Sequence, residues 1–227
     1  MKDFITVAID GPAAAGKSTI AKKVAKILNY TYLDTGAMYR AVTYAVEKAG
    51  LDPENEEQSV KVLPGLTIDL KEDGTVLCNG EDVTKVIREP VVSSKVSYIA
   101  AMKPIRLALV DMQRILAASK NVILDGRDIG TYVLPNADVK IFQTASVECR
   151  AKRRYIENLE KGINTTLEEI EESVRKRDYI DSHRDFAPLR EAEDAIHLDT
   201  SDMDIDQSVE AVLKIIAEKT GIEVPCH

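Results

Sequence analysis

Cysteine, histidine and long apolar runs are scarce in this chain, and each shortage removes a class of protein. The three cysteines, Cys78, Cys149 and Cys226, form no C-x-x-C pair and are odd in number. That argues against a disulfide framework or a cysteine zinc site and fits a reducing compartment. The three histidines, His183, His197 and His227, are scattered and suggest no metal cluster. No apolar run approaches the roughly 18 residues of a membrane span. Residues 1–4 lead straight into a strand without a signal-peptide layout, so a cytoplasmic location is expected. Positive charge is also short: 30 Lys and Arg against 38 Asp and Glu give a net charge of -8. That balance speaks against nucleic-acid or membrane-surface binding. It still permits an anionic small substrate, because a local group of arginines can oppose the global sign. There is no internal repeat and no low-complexity tract.

What is present is an ordinary globular composition, 44% hydrophobic and 30% charged over 227 residues. That length suits a single domain, 1–227, with one sizeable core. Residues 4–9 (FITVAI) form a continuous apolar strand of the kind buried on both faces of a parallel sheet. Short strands are also expected at 30–33, 122–124, 139–142 and 195–198. Helices are expected at 18–28, 104–118, 146–160, 166–179 and 206–219. Strand–helix alternation at this spacing means βαβ units and a parallel sheet covered by helices, an α/β fold. Residues 63–90 break the rhythm. Their Asp73-Gly74 and Asn79-Gly80 turns mark a small antiparallel insert outside the main sheet.

The most specific short pattern follows the first strand. Gly11, Pro12, Ala13, Ala14, Ala15, Gly16, Lys17 and Ser18 match G-x-x-x-x-G-K-[ST], with Thr19 next, between a strand and a helix. A phosphate cradle made of backbone N–H groups needs small side chains, and the helix N-terminus adds partial positive charge. Lys17 is then expected to reach the β/γ-phosphates and Ser18 to ligate Mg²⁺. Asp125, ending the apolar stretch at 122–124, takes the expected place of a second metal carboxylate, bound directly or through water. The sequence therefore points to a nucleoside triphosphate with magnesium.

Arginines mark a second ligand. Arg40 and Arg127 follow expected strands, and ligands of open parallel sheets sit at the strands' carboxyl ends. Paired guanidinium forks suit a phosphate; a solvated helix position for Arg40 and an ion pair with its flanking aspartates for Arg127 are the competing readings. Arg150, Arg153 and Arg154 share one helical face ahead of a break at Gly162, as in a lid that closes over a transferring phosphoryl group and excludes water. Arg177, Asp181 and Arg184 form a further stripe, readable either as a ligand surface or as a salt-bridge ladder.

Taken together, Ile9-Asp10-Gly11-Pro12 with Gly16-Lys17-Ser18, Asp34-Thr35-Gly36-Ala37-Met38-Tyr39-Arg40, Asp125-Gly126-Arg127-Asp128-Ile129-Gly130-Thr131, and Arg177-Asp178 through Asp181 and Arg184 to Ala187-Pro188-Leu189 resemble the bacterial cytidylate kinases. The likeness covers about residues 3–220. It implies a three-layer α/β/α P-loop fold with a five-stranded parallel sheet. It also implies a monophosphate-binding region at about 35–103 that includes the insert, and a short helical lid at about 150–166. The implied reaction moves the γ-phosphate of ATP to CMP or dCMP. By the same resemblance, Thr35, Arg40 and Arg127 address the CMP phosphate, while Ser97, Arg106 and Asp128 read cytosine. Arg177 and Asp181 face the ribose, Arg184 meets base or phosphate, and Arg150, Arg153 and Arg154 serve the transferring group. A monomer is expected, without nucleic-acid or membrane partners. Other P-loop kinases (thymidylate, adenylate, shikimate) and a slow regulatory nucleotide binder share the phosphate loop and are the alternatives.

Overall fold

The structure is a computed structural model that describes residues 4–71, 73–160 and 162–224. Cys226 and His227, together with Glu72 of the expected hairpin and Lys161 of the expected lid, lie outside the described residues. In chain order the elements are β1 (Thr6–Asp10), α1 (Lys17–Leu28), β2 (Thr31–Asp34), α2 (Thr35–Lys48) and the one-turn α3 (Glu56–Ser59). Then come β3 (Ile68–Leu70), β4 (Val76–Cys78), β5 (Glu81–Asp82), α4 (Pro90–Ala101) and α5 (Lys103–Ala117). The described fold ends with β6 (Val122–Gly126), a π-helical turn at Ile129–Val133, β7 (Val139–Thr144), α6 (Val147–Glu160), α7 (Leu167–His183), β8 (Ile196–Asp199) and α8 (Ile205–Thr220).

The five expected strands form one sheet in the order β2-β6-β1-β7-β8, parallel throughout. β1 bonds β6 on one edge and β7 on the other, which is why its sequence is apolar on both faces. Val7 and Ile9 pack with Ile20 and Val24 of α1 and Val212 and Ile216 of α8. Ala8, pointing the opposite way, joins Leu124, Val110 of α5 and Ile129 of the π-helical turn. A separate cluster builds the roof over one end of the sheet. There Met38 and Val42 of α2, Val76 and Cys78 of β4, Ile99 of α4 and Leu109 of α5 meet.

The antiparallel insert is present as β3-β4-β5, with Asn79 and Gly80 at φ 51 and 80 between the last two strands. Those paired positive values are the type I′ geometry that an Asn-Gly turn favours. Caps account for several helix starts. The Asp34 carboxylate accepts from Ala37 N (2.8 Å) at the head of α2. Reciprocal capping boxes, Thr166 with Glu169 and Asp204 with Gln207, open α7 and α8. α7 runs one turn beyond the expected end at 179. Asp181 therefore lies in its last turn, and Arg184 is its C-cap.

Candidate active site

The carboxyl ends of β1, β2 and β6 open into one cavity of about 1020 Å³. One wall is the phosphate loop. Gly11 has φ +149, and a Cβ there would stand 1.9 Å from the Gln143 carbonyl oxygen, so β7 runs too close for any side chain. The Gln143 amide donates to Ala15 O (2.7 Å) and holds the loop from behind. Ala14 adopts φ 59, a left-handed turn in a loop whose amides are the working groups. Lys17 is buried, and its Nζ donates to Gly11 O (2.8 Å) and Pro12 O (2.7 Å). Burial, then the neighbouring Arg127 guanidinium, pushes its ammonium well below the usual lysine range.

Ser18, at the start of α1, donates to Asp125 Oδ2 (2.6 Å), and the Tyr32 hydroxyl donates to Asp125 Oδ1 (2.7 Å). Burial, reinforced by the Asp34 charge, lifts the Asp125 carboxyl above its ordinary range. Thr35 donates to the Asp125 backbone carbonyl (2.6 Å). Gly126 follows because a Cβ there would approach Ile129 to 2.7 Å and Thr35 Oγ1 to 2.9 Å. The second block is pinned to β1 as well: the Asp10 carboxylate accepts from Ile129 N (2.8 Å) and Gly130 N (2.7 Å). Desolvation raises its pKa to about 6 even so.

Beyond the loop the cavity is ringed by arginines. Arg40 and Arg88 both meet Asp34, at 3.3 and 3.0 Å, and Arg127 donates to Asp181 (2.8 Å). Arg127 thus pairs across to α7 and not with the aspartates beside it in sequence. Burial followed by repulsion from Arg127 lowers the Arg177 guanidinium to about 10, and its Nε has no partner. The Arg40 Nε is likewise buried and unpartnered. Excess positive charge with unspent donors is what an anion site requires. At the far end Asp128 accepts from both Arg106 and Arg184, the latter at 3.2 Å. Both guanidiniums also donate to Ala100 O, at 3.0 and 3.3 Å. The three side chains are 5% exposed or less, and Ser97 lies beside them in the cavity wall.

A family model described as cytidylate kinase matches residues 7–218. The chain belongs to the cytidylate kinase family. It is 50% identical over 221 residues to the cytidylate kinase of Bacillus cytotoxicus, covering 96% of this chain and 98% of that protein. It is 49% identical over 220 residues to that of Bacillus cereus strain B4264, with the same coverage. A solved structure, an uncharacterized protein from Eubacterium ventriosum, shares the fold with a TM-score of 0.51 at 14% identity, over 93% of this chain and 98% of that one.

For this member of the cytidylate kinase family, the structure brings most of the expected site residues to one cavity: Ala14 to Thr19, Thr35, Arg40, Ser97, Arg106, Asp125, Arg127, Asp128, Arg153, Arg154, Arg177, Asp181 and Arg184 all line it. Arg150 stands apart from the other two lid arginines. It is buried behind the phosphate loop, bonded to Ala13 O and Ala145 O (both 2.9 Å) and paired with Asp178 (2.7 Å). Arg153 reaches Thr200 O (2.6 Å) and Ala15 O (3.3 Å), while Arg154 pairs with Glu157 on its own helix (2.9 Å). Sequence reading passed over Arg88, Gln113 and the Tyr39 hydroxyl. The buried Gln113 amide and Tyr39 hydroxyl interact with each other without a well-formed hydrogen bond, and both residues line the cavity. The signal was there for Gln113. It interrupts the buried stripe Ile105, Leu109, Val110, Ala117 on the α5 face that carries Arg106. Arg88, a lone arginine near the end of the 63–90 segment, gave no such signal.

Proposed function

We propose that this chain transfers the γ-phosphoryl group of ATP to CMP or dCMP, giving ADP and CDP or dCDP. One observation carries the reading: a single cavity has a triphosphate cradle at one end, a buried Arg106–Asp128–Arg184 cluster at the other and arginines with unspent donors between. In it the amides from Ala14 to Thr19 and the Lys17 ammonium bind the donor phosphates. Thr35, Arg40 and Arg127 hold the acceptor phosphate, with Arg177 and Asp181 at the ribose. Asp128 accepts from the cytosine N4 amine while Ser97 and Arg106 donate to the ring acceptors. A uracil carbonyl in that place opposes acceptor to acceptor and is rejected. In-line placement in a positively charged site is most of what phosphoryl transfer needs.

The oxygen pair Ser18 Oγ and Asp125 Oδ2 fits Mg²⁺, a hard cation that takes few protein ligands and shares its shell with phosphates and water. When bound there it neutralises charge on the donor phosphates. The same reading divides the chain into a core, a monophosphate-binding region at about 35–103 and a lid at about 150–166. It expects a monomer without nucleic-acid partners. Among the described residues no helix is long and apolar enough to cross a membrane. The deciding experiment couples ADP formation to each of CMP, dCMP, UMP, AMP and dTMP. Rapid turnover with CMP or dCMP is expected; preference for AMP or dTMP, or turnover without any acceptor, overturns the assignment.

A further inference from the structure

The backbone of Ala13 is held at both its N–H and its C=O by one ion pair. Its N–H donates to Asp178 Oδ1 (3.2 Å), its C=O accepts from Arg150 (2.9 Å), and Arg150 closes the ring on Asp178 Oδ2 (2.7 Å). A further bond, Arg150 Nε to Ala145 O (2.9 Å), fixes the arginine to the start of the β7–α6 connection. Arg150 is on α6 and Asp178 on α7, whereas Ala13 lies in the loop after β1. Asp178 directly follows Arg177 and precedes Asp181 by one helical turn, and those two face the cavity. One helix therefore holds the phosphate loop with one residue and the ring of cavity arginines with its neighbours.

We infer that Asp178 is a positioning residue: by clasping the Ala13 peptide it fixes the donor loop in register with α7, so that the two phosphates meet in line. The inference rests on the phosphoryl-transfer reading given above. Charge and geometry both support it. Arg150 is 5% exposed at its side chain, so it needs a counter-charge, and α7 supplies that charge at the point where it touches the loop. The amides that follow Ala13 are aimed by this peptide. If it rotates, the donor phosphates shift while each nucleotide still finds its own contacts. Misplacement of about 1 Å costs on the order of 10²-fold in rate. Asp178 thereby joins the two halves of the site without touching a reacting atom.

The test compares the full-length wild-type chain with Asp178→Ala and Asp178→Asn. Single-turnover rates are measured with ATP and CMP. Dissociation constants are measured separately for a non-hydrolysable ATP analogue and for CMP, each in the absence and presence of the other. For Asp178→Ala we expect the single-turnover rate to fall about 10²-fold. Each ligand alone should bind within about threefold of wild type, and any effect of one ligand on the affinity of the other should vanish. Asp178→Asn keeps an acceptor for Ala13 N–H and should fall between, and it replaces the alanine variant should that variant fail to fold. A variant rate within twofold of wild type overturns the inference. So does a loss confined to the dissociation constant of one nucleotide with the rate intact, which makes Asp178 a ligand-binding prop. Wild-type chain inactive with every nucleoside monophosphate overturns the function reading instead, so the two failures are told apart.

Discussion

Replacing Asp128 with asparagine separates two roles in one carboxylate. The side chain accepts from Arg106 and Arg184, whose side chains are 1% and 2% exposed. Asparagine keeps the shape but withdraws the charge, leaving two guanidiniums buried against a neutral amide. Breaking a buried pair costs about 3–5 kcal/mol. At about 2–4 °C per kcal/mol for a chain of this size, the melting midpoint should fall by roughly 6–20 °C. The substrate effect is distinct. The carboxamide offers one acceptor and one donor, and the donor suits the uracil O4 as the carboxylate does not. A good base contact discriminates by about 1–3 kcal/mol, so the CMP-to-UMP ratio of kcat/KM should fall about 10- to 100-fold. The assays are thermal melting with and without CMP, and coupled ADP formation with each monophosphate. A variant that melts lower but keeps the wild-type CMP-to-UMP ratio shows that Asp128 only balances the arginines, and refutes its reading of the base. An unchanged midpoint refutes the buried-charge reasoning.

Three further outcomes are expected. Lys17→Ala should lose on the order of 10²–10³-fold in turnover while far-UV circular dichroism stays native, because the side chain serves the loop and its ligand; full activity in the variant rejects that role. Asp10 has its folded-state pKa raised from 3.8 to about 6, so the folded form holds the proton more tightly than the unfolded chain. Its contribution to stability is complete below pH 3.8 and lost as pH rises through about 6, a change of about 3 kcal/mol. Urea melts at pH 4.5 and 6.5 should show about 2 kcal/mol of that decline in wild type but not in Asp10→Asn, and the same change in unfolding free energy in both would refute it. Gln113→Met keeps the volume and removes two buried polar ends, so KM for CMP should rise up to about tenfold while KM for ATP holds; no change in either means the amide does not face the acceptor.

Local chemistry was legible in the sequence and partnership was not. The phosphate loop announced itself because small residues, a preceding apolar strand and a lysine at fixed spacing leave few alternatives. The insert did so through its turn dipeptides, whose geometry is decided within four residues. α4 escaped notice because Val91, Val92 and Val96 are β-branched, with poor intrinsic helix propensity; Pro90 at the first helical position and packing of Ile99 under the roof decide its state. Most of the arginines were visible as candidates, but their partners lie 20 to 140 residues away: Arg106 on Asp128, Arg127 on Asp181, Arg150 on Ala13. Arg150 shares a helical face with Arg153 and Arg154, so spacing alone groups the three. Only the fold shows that the first of them points behind the loop.

The strand order has a consequence for how the molecule is made. β1 and β2 are separated by β6, so these two strands, made one after the other, have no hydrogen-bonding partner in one another. Their edges stay open until residue 126 has emerged, because β6 pairs with both. While residues 35 to 126 are being made the nascent polypeptide therefore carries two unpaired strands, a period when chaperone protection matters most. Nucleotide can assist only late, since the serine and aspartate that meet at 2.6 Å are 107 positions apart.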